Sequence, residues 1–372
     1  QTPNSDIKWV DPSPPITRMD GQAGITRSEP LEVSMAKWPQ ANSPHRHRRR
    51  SKGTAPCFAA IDLGTHNCRM LIAEPSDNGP VVIDGFSRIV RLGEGLGKSG
   101  NLCEDAIQRT ISALRVCAGK IRRHHVVRSR DIATEACRQA INCKDFFEKV
   151  EAETGIMLEA IPAEEEATLT LAGCLPLLTG GHSRALMFDI GGGSTELSWI
   201  DLTTCVPHPI GILSLPIGVV NLMEKNASPD CTADRFQCLV AEIDALLAPF
   251  DAEYGISETF AREGALMLGT SGTVTTLGAI HLGLSRYDRS QVDGLTLDFT
   301  DIERLADRVS AMPCEARKAL PCIGPERADL MVMGCAILKA ITKRWPAGRL
   351  RIADRGVREG LLVRMMQDAA KQ

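Results

Sequence analysis

Apolar residues early in the chain fall in short runs that are separated by polar, glycine-containing turns. The run CFAAIDLG covers residues 57–64, and the run CRMLIAE covers residues 68–74. Two short runs joined by the turn sequence GTHN, at residues 64–67, are typical of a β-hairpin. Residues 81–90 supply a third predicted strand.

Helical spacing of apolar residues appears farther along the chain. Between residues 104 and 122 apolar side chains recur at three- and four-residue intervals, which predicts an amphipathic helix. The pattern returns to a strand at residues 131–134. Further helices are predicted at residues 145–154, 232–247, 300–312, 327–342 and 357–369.

The second half of the chain repeats this opening. Residues 185–200, ALMFDIGGGSTELSWI, again have the pattern of strand, glycine turn and strand, with an aspartate just before the glycines, two residues ahead of the first one. The two aspartates, Asp62 and Asp189, lie 127 residues apart, which is close to the length of one domain. The repeat predicts an internal duplication, in which two α/β domains each open with a hairpin and face one another.

Composition limits the classes of function. Hydrophobic residues make up 43% of the 372 positions, enough for sizeable cores. Aromatic residues are only 4%, which argues against a surface that stacks nucleic-acid bases. The net charge of −3 leaves anion binding to a local site. We therefore expect no nucleic-acid partner.

The cysteines and the apolar runs indicate the compartment. Thirteen cysteines are scattered without any C-x-x-C pair, which predicts buried free thiols rather than a disulfide framework or a zinc ribbon. No apolar run is long enough to cross a bilayer, and no signal-peptide core precedes the first domain. These features predict a cytoplasmic protein without a membrane partner.

Residues 1–54 differ from the rest of the chain. They are rich in proline, serine and glycine, lack a sustained period, and end in the basic run HRHRRRSKG at residues 45–53. We expect a disordered basic extension outside the fold. Such a run is most often a solvated tail, and the alternative is a segment that holds an acidic polymer or nucleic acid.

The two glycine turns have the chemistry of phosphate-binding loops. Glycine lets the backbone approach an anion closely, so that consecutive N–H groups converge on phosphate oxygens. Hydroxyl groups at Thr65, Ser194 and Thr195 add donors. An aspartate before each loop repels phosphate unless a cation such as Mg²⁺ lies between them. The alternative is a pair of structural β-turns, which two matched loops with matched aspartates disfavour.

Two further segments are candidates for chemistry. Residues 269–278, GTSGTVTTLG, precede helical sequence, and a turn at a helix N-terminus binds anions, although such clusters are also common loops and caps. Three glutamates at residues 164–166 repel one another, and burial of one would raise its pKa towards the range of a general base. From the residues alone, the favoured interpretation is the first turn of a helix, where acids complement the helix dipole.

Seven segments, taken in order, resemble the motifs of the exopolyphosphatase/guanosine-pentaphosphate phosphatase family, within the superfamily of actin, sugar kinases and heat-shock chaperone ATPases. They are AIDLGTHNCRMLIA (60–73), RLGEGL (91–96), ATEACRQA (133–140), IPAEEEATL (161–169), FDIGGGSTEL (188–197), GTSGTVTTL (269–277) and GVREGLL (356–362). The resemblance implies an α/β fold with two ribonuclease-H-like (actin-like ATPase) domains and an active site in the interdomain cleft. We expect domain I at residues 55–165 and 350–372 and domain II at residues 166–349.

The resemblance also implies roles for individual residues. In the family, a glutamate of the acidic motif orients or deprotonates the attacking water, which places the catalytic base at Glu166, with Glu165 as the alternative. Asp62, Asp189 and Glu196 are expected at a Mg²⁺ site, with Mn²⁺ as the alternative metal. The residues expected to bind substrate phosphates are Gly64, Thr65, His66, Asn67, Arg69, Arg91, Arg138, Gly191, Gly192, Gly193, Ser194, Thr195, Ser271, Gly272 and Thr273.

The implied activity is Mg²⁺-assisted hydrolysis of the terminal phosphate of inorganic polyphosphate by in-line attack of water. Guanosine pentaphosphate (pppGpp) is the alternative substrate. The alternative of another class is an actin-like nucleotide-binding protein, or a sensor of alarmone or polyphosphate without turnover. The resemblance also allows a homodimer.

The chain departs from the family pattern in two places. The first loop usually reads Gly-Ser-Asn-Ser in the family and reads GTHN here, which leaves the role of His66 open. Longer members carry extra C-terminal helical domains, whereas this chain ends soon after its last motif. We therefore expect a short, two-domain form.

Overall fold

The computed structural model describes residues 55–226 and 228–371, and these residues form two mixed β-sheets with helices packed on them. The predicted basic extension, residues 1–54, lies outside the described residues. None of the described helices is long and apolar enough to cross a membrane.

The eleven strands of the described residues form a five-stranded sheet and a six-stranded sheet. The first sheet contains β1 (Cys57–Leu63), β2 (Asn67–Glu74), β3 (Val81–Ile89), β4 (Val126–Ala133) and β5 (Leu158–Ala160). The second sheet contains β6 (Arg184–Ile190), β7 (Thr195–Asp201), β8 (His208–Leu215), β9 (Leu266–Thr270), β10 (Thr296–Asp298) and β11 (Arg349–Ala353).

The helices of the first half are α1 (Leu96–Ser99), α2 (Glu104–Arg123), α3 (Glu135–Gln139), α4 (Cys143–Thr154) and α5 (Ala163–Cys174), followed by a 3₁₀ turn (Leu175–Leu177). The helices of the second half are α6 (Val219–Asn226), α7 (Ala233–Tyr254), α8 (Ile256–Arg262), α9 (Gly272–His281), α10 (Arg289–Val292), α11 (Phe299–Ala311), α12 (Cys314–Lys318), α13 (Met331–Arg344) and α14 (Val357–Ala370).

The two sheets share one topology, which confirms the predicted duplication. The first has the strand order β3-β2-β1-β4-β5, and the second has the order β8-β7-β6-β9-β11-β10. In each, three consecutive strands are antiparallel and the first of them pairs in parallel with a later strand. The registers also correspond, because Asp62 pairs with Arg69 in the first hairpin and Asp189 pairs with Glu196 in the second.

Several predicted boundaries differ from the structure. The strand predicted at residues 131–134 is the end of the longer β4, whose earlier part is partly exposed and includes the polar residues Arg128, Ser129 and Arg130, which interrupt the apolar run. The helix predicted at residues 327–342 begins only at Met331, because the preceding residues form turns. Strand β11 pairs in parallel with β9, so residues 350–353 belong to the second sheet and not to domain I, as the sequence analysis placed them.

Helix α5 packs against both sheets, and helix α14 packs against α5 and the first sheet. Leu169 of α5 packs with Leu361 of α14 against one face of the first sheet. Leu171, two residues farther along α5, belongs to the cluster that covers the second sheet. The helices approach closely at two glycines: a Cβ at Gly173 would lie 2.1 Å from the Gly356 carbonyl oxygen, and one at Gly360 would lie 2.0 Å from the Leu169 carbonyl oxygen. This crossing therefore joins the two halves of the fold.

Replacing a glycine at this crossing should destabilise the protein, whereas the same change elsewhere in a helix should not. We expect Gly360→Ala to lower the free energy of unfolding by about 2 kcal/mol or more, because the added methyl group forces two backbones apart. The matched control is Gly119→Ala in α2, where a Cβ meets nothing within 4 Å. That control should stabilise the protein by roughly 0.5–1 kcal/mol, because alanine has the higher helix propensity.

Chemical denaturation of both variants measures the two changes. Equal effects of the two substitutions would contradict the proposed role of the close crossing.

Candidate active site

A cavity of about 130 Å³ lies where the two glycine turns meet. The first loop, Gly64–Asn67, connects β1 to β2, and the second, Gly191–Ser194, connects β6 to β7. The predicted residues that line this cavity are Asp62, Gly64, Thr65, His66, Asn67, Arg69, Glu166, Asp189, Gly191, Gly192, Gly193, Ser194, Glu196, Ser271, Gly272 and Thr273. The structure therefore brings most of the predicted site together.

The two loops have the same closing hydrogen bond. The amide of Gly64 donates to the Asn67 carbonyl oxygen at 2.9 Å, and the amide of Gly191 donates to the Ser194 carbonyl oxygen at 2.9 Å. Asn221 holds the second loop by donating from Nδ2 to the Gly193 carbonyl oxygen at 2.7 Å. Consecutive backbone amides held in a turn of this kind form a concave site that suits an anion.

The glycines of the second loop are required by the closeness of the first. A Cβ at Gly193 would lie 2.6 Å from Thr65 Oγ1, and a Cβ at Gly192 would lie 3.2 Å from the His66 amide nitrogen. A larger residue at either position would push the two loops apart. The paired loops thus enclose a small space from both sides.

A third wall comes from the start of α9. Ser271, directly before the helix, has a backbone φ of 90°, and Ser271, Gly272 and Thr273 line the cavity. The Ser271 hydroxyl is buried and has no hydrogen-bond partner among the described residues. A helix N-terminus that points into a cavity favours a negatively charged ligand, as the sequence analysis expected.

Glu166 is the glutamate of the acidic motif that reaches this cavity. It lies in the first turn of α5, and its side chain is 13% exposed. Arg138 of α3 donates from Nη1 to Glu166 Oε2 at 2.7 Å and to the Ile161 carbonyl oxygen at 3.0 Å. Burial and the neighbouring charge of Glu196 raise the pKa of Glu166 well above its usual 4.5, and Arg138 acts in the opposite direction. A buried carboxylate with a raised pKa is suited to accept a proton from water.

Glu165 is held elsewhere. Its carboxylate accepts a hydrogen bond from Arg130 Nη2 at 2.8 Å, and Glu165 does not line the cavity. Successive residues of a helix point in directions about a quarter-turn apart, which is why one glutamate reaches the cavity and its neighbour does not. The acidic motif thus contains one residue that lines the cavity, Glu166, and one that forms an ion pair outside it in the first turn of the helix, Glu165.

Three other predicted phosphate ligands do not line the cavity. Arg91 forms an ion pair with Asp329 at 3.1 Å. The Arg138 guanidinium donates a hydrogen bond to the Glu166 carboxylate and does not line the cavity. The Thr195 hydroxyl is buried and donates to the Ile217 carbonyl oxygen at 2.6 Å, so that it is unavailable to a ligand.

All three predicted metal ligands are buried carboxylates whose pKa values are raised. Burial raises the pKa of Asp189 to about 6, and the charge of Asp62 contributes in the same direction while Arg69 opposes it. Burial likewise raises the pKa of Asp62. Burial, followed by the charge of Asp189, raises the pKa of Glu196 to about 7. Asp62 and Asp189 thus repel one another across the cavity, each at the end of the strand before its own loop.

Glu196 has neighbours of its own. It accepts a hydrogen bond from Ser214 at 3.2 Å and lies 4.0 Å from Arg138 Nη2. Among residues 55–226 and 228–371, no group of three or more acidic, histidine or cysteine side chains forms a ready metal site. Asp62 and Asp189 nevertheless fit Mg²⁺, because this ion commonly takes one or two carboxylates and completes its shell with phosphate oxygens and water.

A larger cavity of about 540 Å³ adjoins the first and shares Asp62, Arg69, Asp189 and Arg327 with it. The sequence analysis missed most of its basic residues. These are Arg289, Arg327, Arg355 and Arg358. Arg327 was predicted as the first residue of a helix although it lies in the turn before α13, and Arg358 was named only as part of a motif. Their position could be recognised only once α13 and α14 were placed beside the loops.

The arginines of the larger cavity divide into two groups. Arg289 is bound to Glu359 at 2.5 Å, and Arg355 is bound to Asp293, with its Nε at 2.9 Å. Arg69, Arg327 and Arg358 form no hydrogen bond or ion pair with another described residue. Three guanidinium groups that form no ion pair with another described residue make the cavity suited to an anion with several charges.

Comparison with known proteins identifies the family. The family model described as "Ppx/GppA phosphatase family" matches residues 71–369. The chain belongs to the Ppx/GppA phosphatase family. Exopolyphosphatase 2 of Mycobacterium tuberculosis is 30% identical to this chain, and the alignment covers 82% of this chain and 96% of that protein.

Solved structures of Ppx/GppA relatives agree. The crystal structure of the Aquifex aeolicus family member has a TM-score of 0.69 at 29% identity, and covers 84% of this chain and 98% of its own. An exopolyphosphatase-like protein has a TM-score of 0.75 at 28% identity, and covers 85% and 99%. Together with the matching strand orders, these relatives confirm the predicted fold class, an α/β protein with two actin-like domains.

The ion pair between Arg138 and Glu166 gives a test of whether Glu166 or Glu165 contributes to the activity of this Ppx/GppA phosphatase. Arg138→Gln should lower kcat by about 30-fold, because it removes a charged hydrogen bond worth about 2 kcal/mol from a buried carboxylate. Loss of the positive charge should also raise the pKa of Glu166 further. The acidic limb of the pH–rate profile should therefore move to higher pH, since activity is lost as pH falls through that pKa.

The matched control is Arg130→Gln, which removes the partner of Glu165 instead. Phosphate release by this variant should remain within about twofold of wild type, because a partly exposed ion pair contributes little. A larger loss in Arg130→Gln than in Arg138→Gln would contradict the assignment of Glu166.

Proposed function

We propose that this protein is an exopolyphosphatase that hydrolyses the terminal phosphate of inorganic polyphosphate. The observation that carries the proposal is the position of Glu166. Its buried carboxylate shares one cavity with both glycine loops, and that cavity continues into a space where Arg69, Arg327 and Arg358 form no ion pair with another described residue. The name of the Mycobacterium tuberculosis relative, Exopolyphosphatase 2, supports the same activity.

The dimensions of the two cavities favour attack at the end of a chain. The smaller cavity, of about 130 Å³, suits a single phosphoryl group between the loops. The larger one, of about 540 Å³, suits the phosphates that follow it, with Arg69, Arg327 and Arg358 as their counter-charges. A polymer would therefore enter with one terminus against the loops and its following phosphates in the larger cavity, which shares Arg69 and Arg327 with the smaller one.

The reaction follows from the groups around the smaller cavity. Glu166 accepts a proton from a water molecule, whose oxygen attacks the terminal phosphorus in line with the bridging oxygen. The bond between that phosphorus and the bridging oxygen breaks, and the shortened chain leaves as an anion. Backbone amides of the loops and of α9 stabilise the negative charge on the transferring group.

The metal is part of the proposal. Asp62 and Asp189 would hold Mg²⁺, with Mn²⁺ as the alternative, and the substrate would supply further oxygens. When bound, the ion neutralises charge on phosphoryl oxygens. Glu196 interacts with Ser214 and lies near Arg138 and Glu166, so we assign it to the environment of the base rather than to the metal.

A second candidate substrate is pppGpp. Tyr287 lines the larger cavity and presents an aromatic ring there, while its hydroxyl donates to Asp354 at 2.7 Å. Such a ring can stack on a nucleobase while the arginines bind phosphates. Loss of turnover with pppGpp but not with polyphosphate in Tyr287→Ala would favour the nucleotide as a natural substrate.

The deciding experiment is phosphate release from long-chain polyphosphate and from pppGpp, measured in parallel with Mg²⁺. Glu166→Gln should lower kcat by at least about 100-fold, as expected for loss of a general base. Glu165→Gln, the matched control one residue away, should stay within about threefold because its partner is the partly exposed Arg130.

Other outcomes would change the assignment. Release from pppGpp alone would make the protein an alarmone phosphatase. Tight binding without release from either substrate would indicate a sensor and would contradict the proposed activity.

The metal assignment predicts a dependence on free Mg²⁺. Activity should vanish with a chelator and return with added Mg²⁺. Asp62→Asn and Asp189→Asn should each raise the Mg²⁺ concentration at half-maximal activity by about tenfold or more, because each removes a carboxylate ligand. Asp84→Asn is the control, since Asp84 binds Lys120 at 2.6 Å and does not line either cavity. Full activity with chelator present would show that no metal is needed.

A further inference from the structure

His66 occupies an unusual position in the first phosphate loop. Its side chain is only 6% exposed, and it lines the smaller cavity beside Thr65 and Asn67. Both ring nitrogens, Nδ1 and Nε2, are buried and have no hydrogen-bond partner among the described residues. A buried imidazole normally has at least one partner, so both nitrogens are available to a ligand in the cavity.

The groups around His66 keep it neutral in the free protein. Burial, followed by the charges of Arg91, Arg327 and Arg69, lowers the pKa of His66 to about 3. These arginines come from three separate places: the turn after β3, the turn before α13, and β2. The second loop brings glycine backbone against the histidine, since a Cβ at Gly192 would lie 3.2 Å from the His66 Cβ.

The nearby acid offers no compensation. Asp329, from the same turn as Arg327, is bound to Arg91 at 3.1 Å and is not among the charges that act on His66. The charges that act most strongly on the pKa of His66 are therefore positive, and the carboxylates of Asp62, Glu166 and Asp189 are the acidic groups that line the same cavity.

A phosphate ligand changes this balance in two ways. First, its negative charge compensates the three arginines that disfavour the imidazolium form. Second, ionised phosphoryl oxygens only accept hydrogen bonds, whereas a neutral imidazole has one N–H donor and one lone pair. In the neutral form, one of the two ring nitrogens would have to face an oxygen with its lone pair. In the imidazolium form, both nitrogens donate.

We propose that His66 takes up a proton when the phosphorylated substrate binds, and that both ring nitrogens then donate hydrogen bonds to phosphoryl oxygens. The proton comes from solvent and returns to it when the products leave, so no covalent bond of His66 is made or broken. The proposal rests on the function proposed above and adds a specificity-determining residue to it. Substrate affinity thereby becomes dependent on pH at a residue that is not the catalytic base.

The direction of the pH effect follows from linkage. The pKa of His66 is low in the free protein and higher in the complex, so binding is strengthened at a pH below the value in the complex. This contribution is lost as pH rises through that value. Between the two values, KM should increase by up to about tenfold per pH unit, and above the value in the complex it should no longer depend on the protonation of His66.

Calorimetry on a non-hydrolysing background tests the proton uptake directly. Tripolyphosphate is titrated into Glu166→Gln and into the double variant Glu166→Gln/His66→Asn, near pH 7, in two buffers with different ionisation enthalpies. Asparagine can donate a hydrogen bond but does not titrate in this range. We expect the protein with His66 to take up about 0.5–1 proton more per site than the double variant. Protons bound by the phosphate itself are common to both proteins and cancel.

The outcomes separate the two proposals. Normal binding with equal proton uptake in both proteins would overturn the role of His66 and leave the proposed function intact. Absence of binding in both would overturn the proposed function and, with it, the inference.

A second measurement keeps the wild-type base. KM for polyphosphate is measured across the pH range in wild type and in His66→Asn. The ratio of the variant's KM to that of wild type should be large at low pH and approach a constant value at high pH. A ratio that does not change with pH would indicate a positioning role only and would overturn the proposal.

Discussion

Helix α5 crosses helix α14 so closely that the carbonyl oxygens of Leu169 and Gly356 occupy the space of side chains at Gly360 and Gly173. This contact sets the position of α5 between the two sheets. The later residues of α5 pack on the second sheet, and its first turn carries Glu166 into the space between the two glycine loops. The chemistry of the site therefore depends on a backbone contact that involves no catalytic group.

The site combines groups that are unfavourable in isolation. Asp62, Asp189 and Glu166 are buried carboxylates whose pKa values are raised, while Arg69 and Arg327 are cations without acidic partners among the described residues. Such an arrangement costs stability in the free protein, because buried charges are poorly solvated. A metal ion and a polyanionic substrate would complete the missing pairs, so that binding energy is directed to the place where the reaction occurs.

The duplication gives two similar loops different tasks. Both begin after an aspartate and close with the same hydrogen bond, but the residue that pairs with the aspartate is Arg69 in one copy and Glu196 in the other. The first copy thereby contributes positive charge to the larger cavity, and the second contributes an acid near Glu166. The two copies therefore differ at this position, and we propose that the arginine serves the chain of phosphates and the acid serves the attacking water.

The sequence by itself determined the local features of this protein. The alternation of short apolar runs and glycine turns predicted both hairpins, and the aspartate before each turn indicated the metal and phosphate chemistry, because these patterns depend on neighbouring residues. It also predicted Glu166 as the catalytic base through an ordered set of motifs. Only the tertiary structure showed that Glu165 and Arg138 form ion pairs and that the Thr195 hydroxyl donates to the Ile217 carbonyl oxygen. It alone showed that Arg327 and Arg358 line the larger cavity. These features depend on helix crossings and sheet pairings between residues far apart in the chain, which no local pattern encodes.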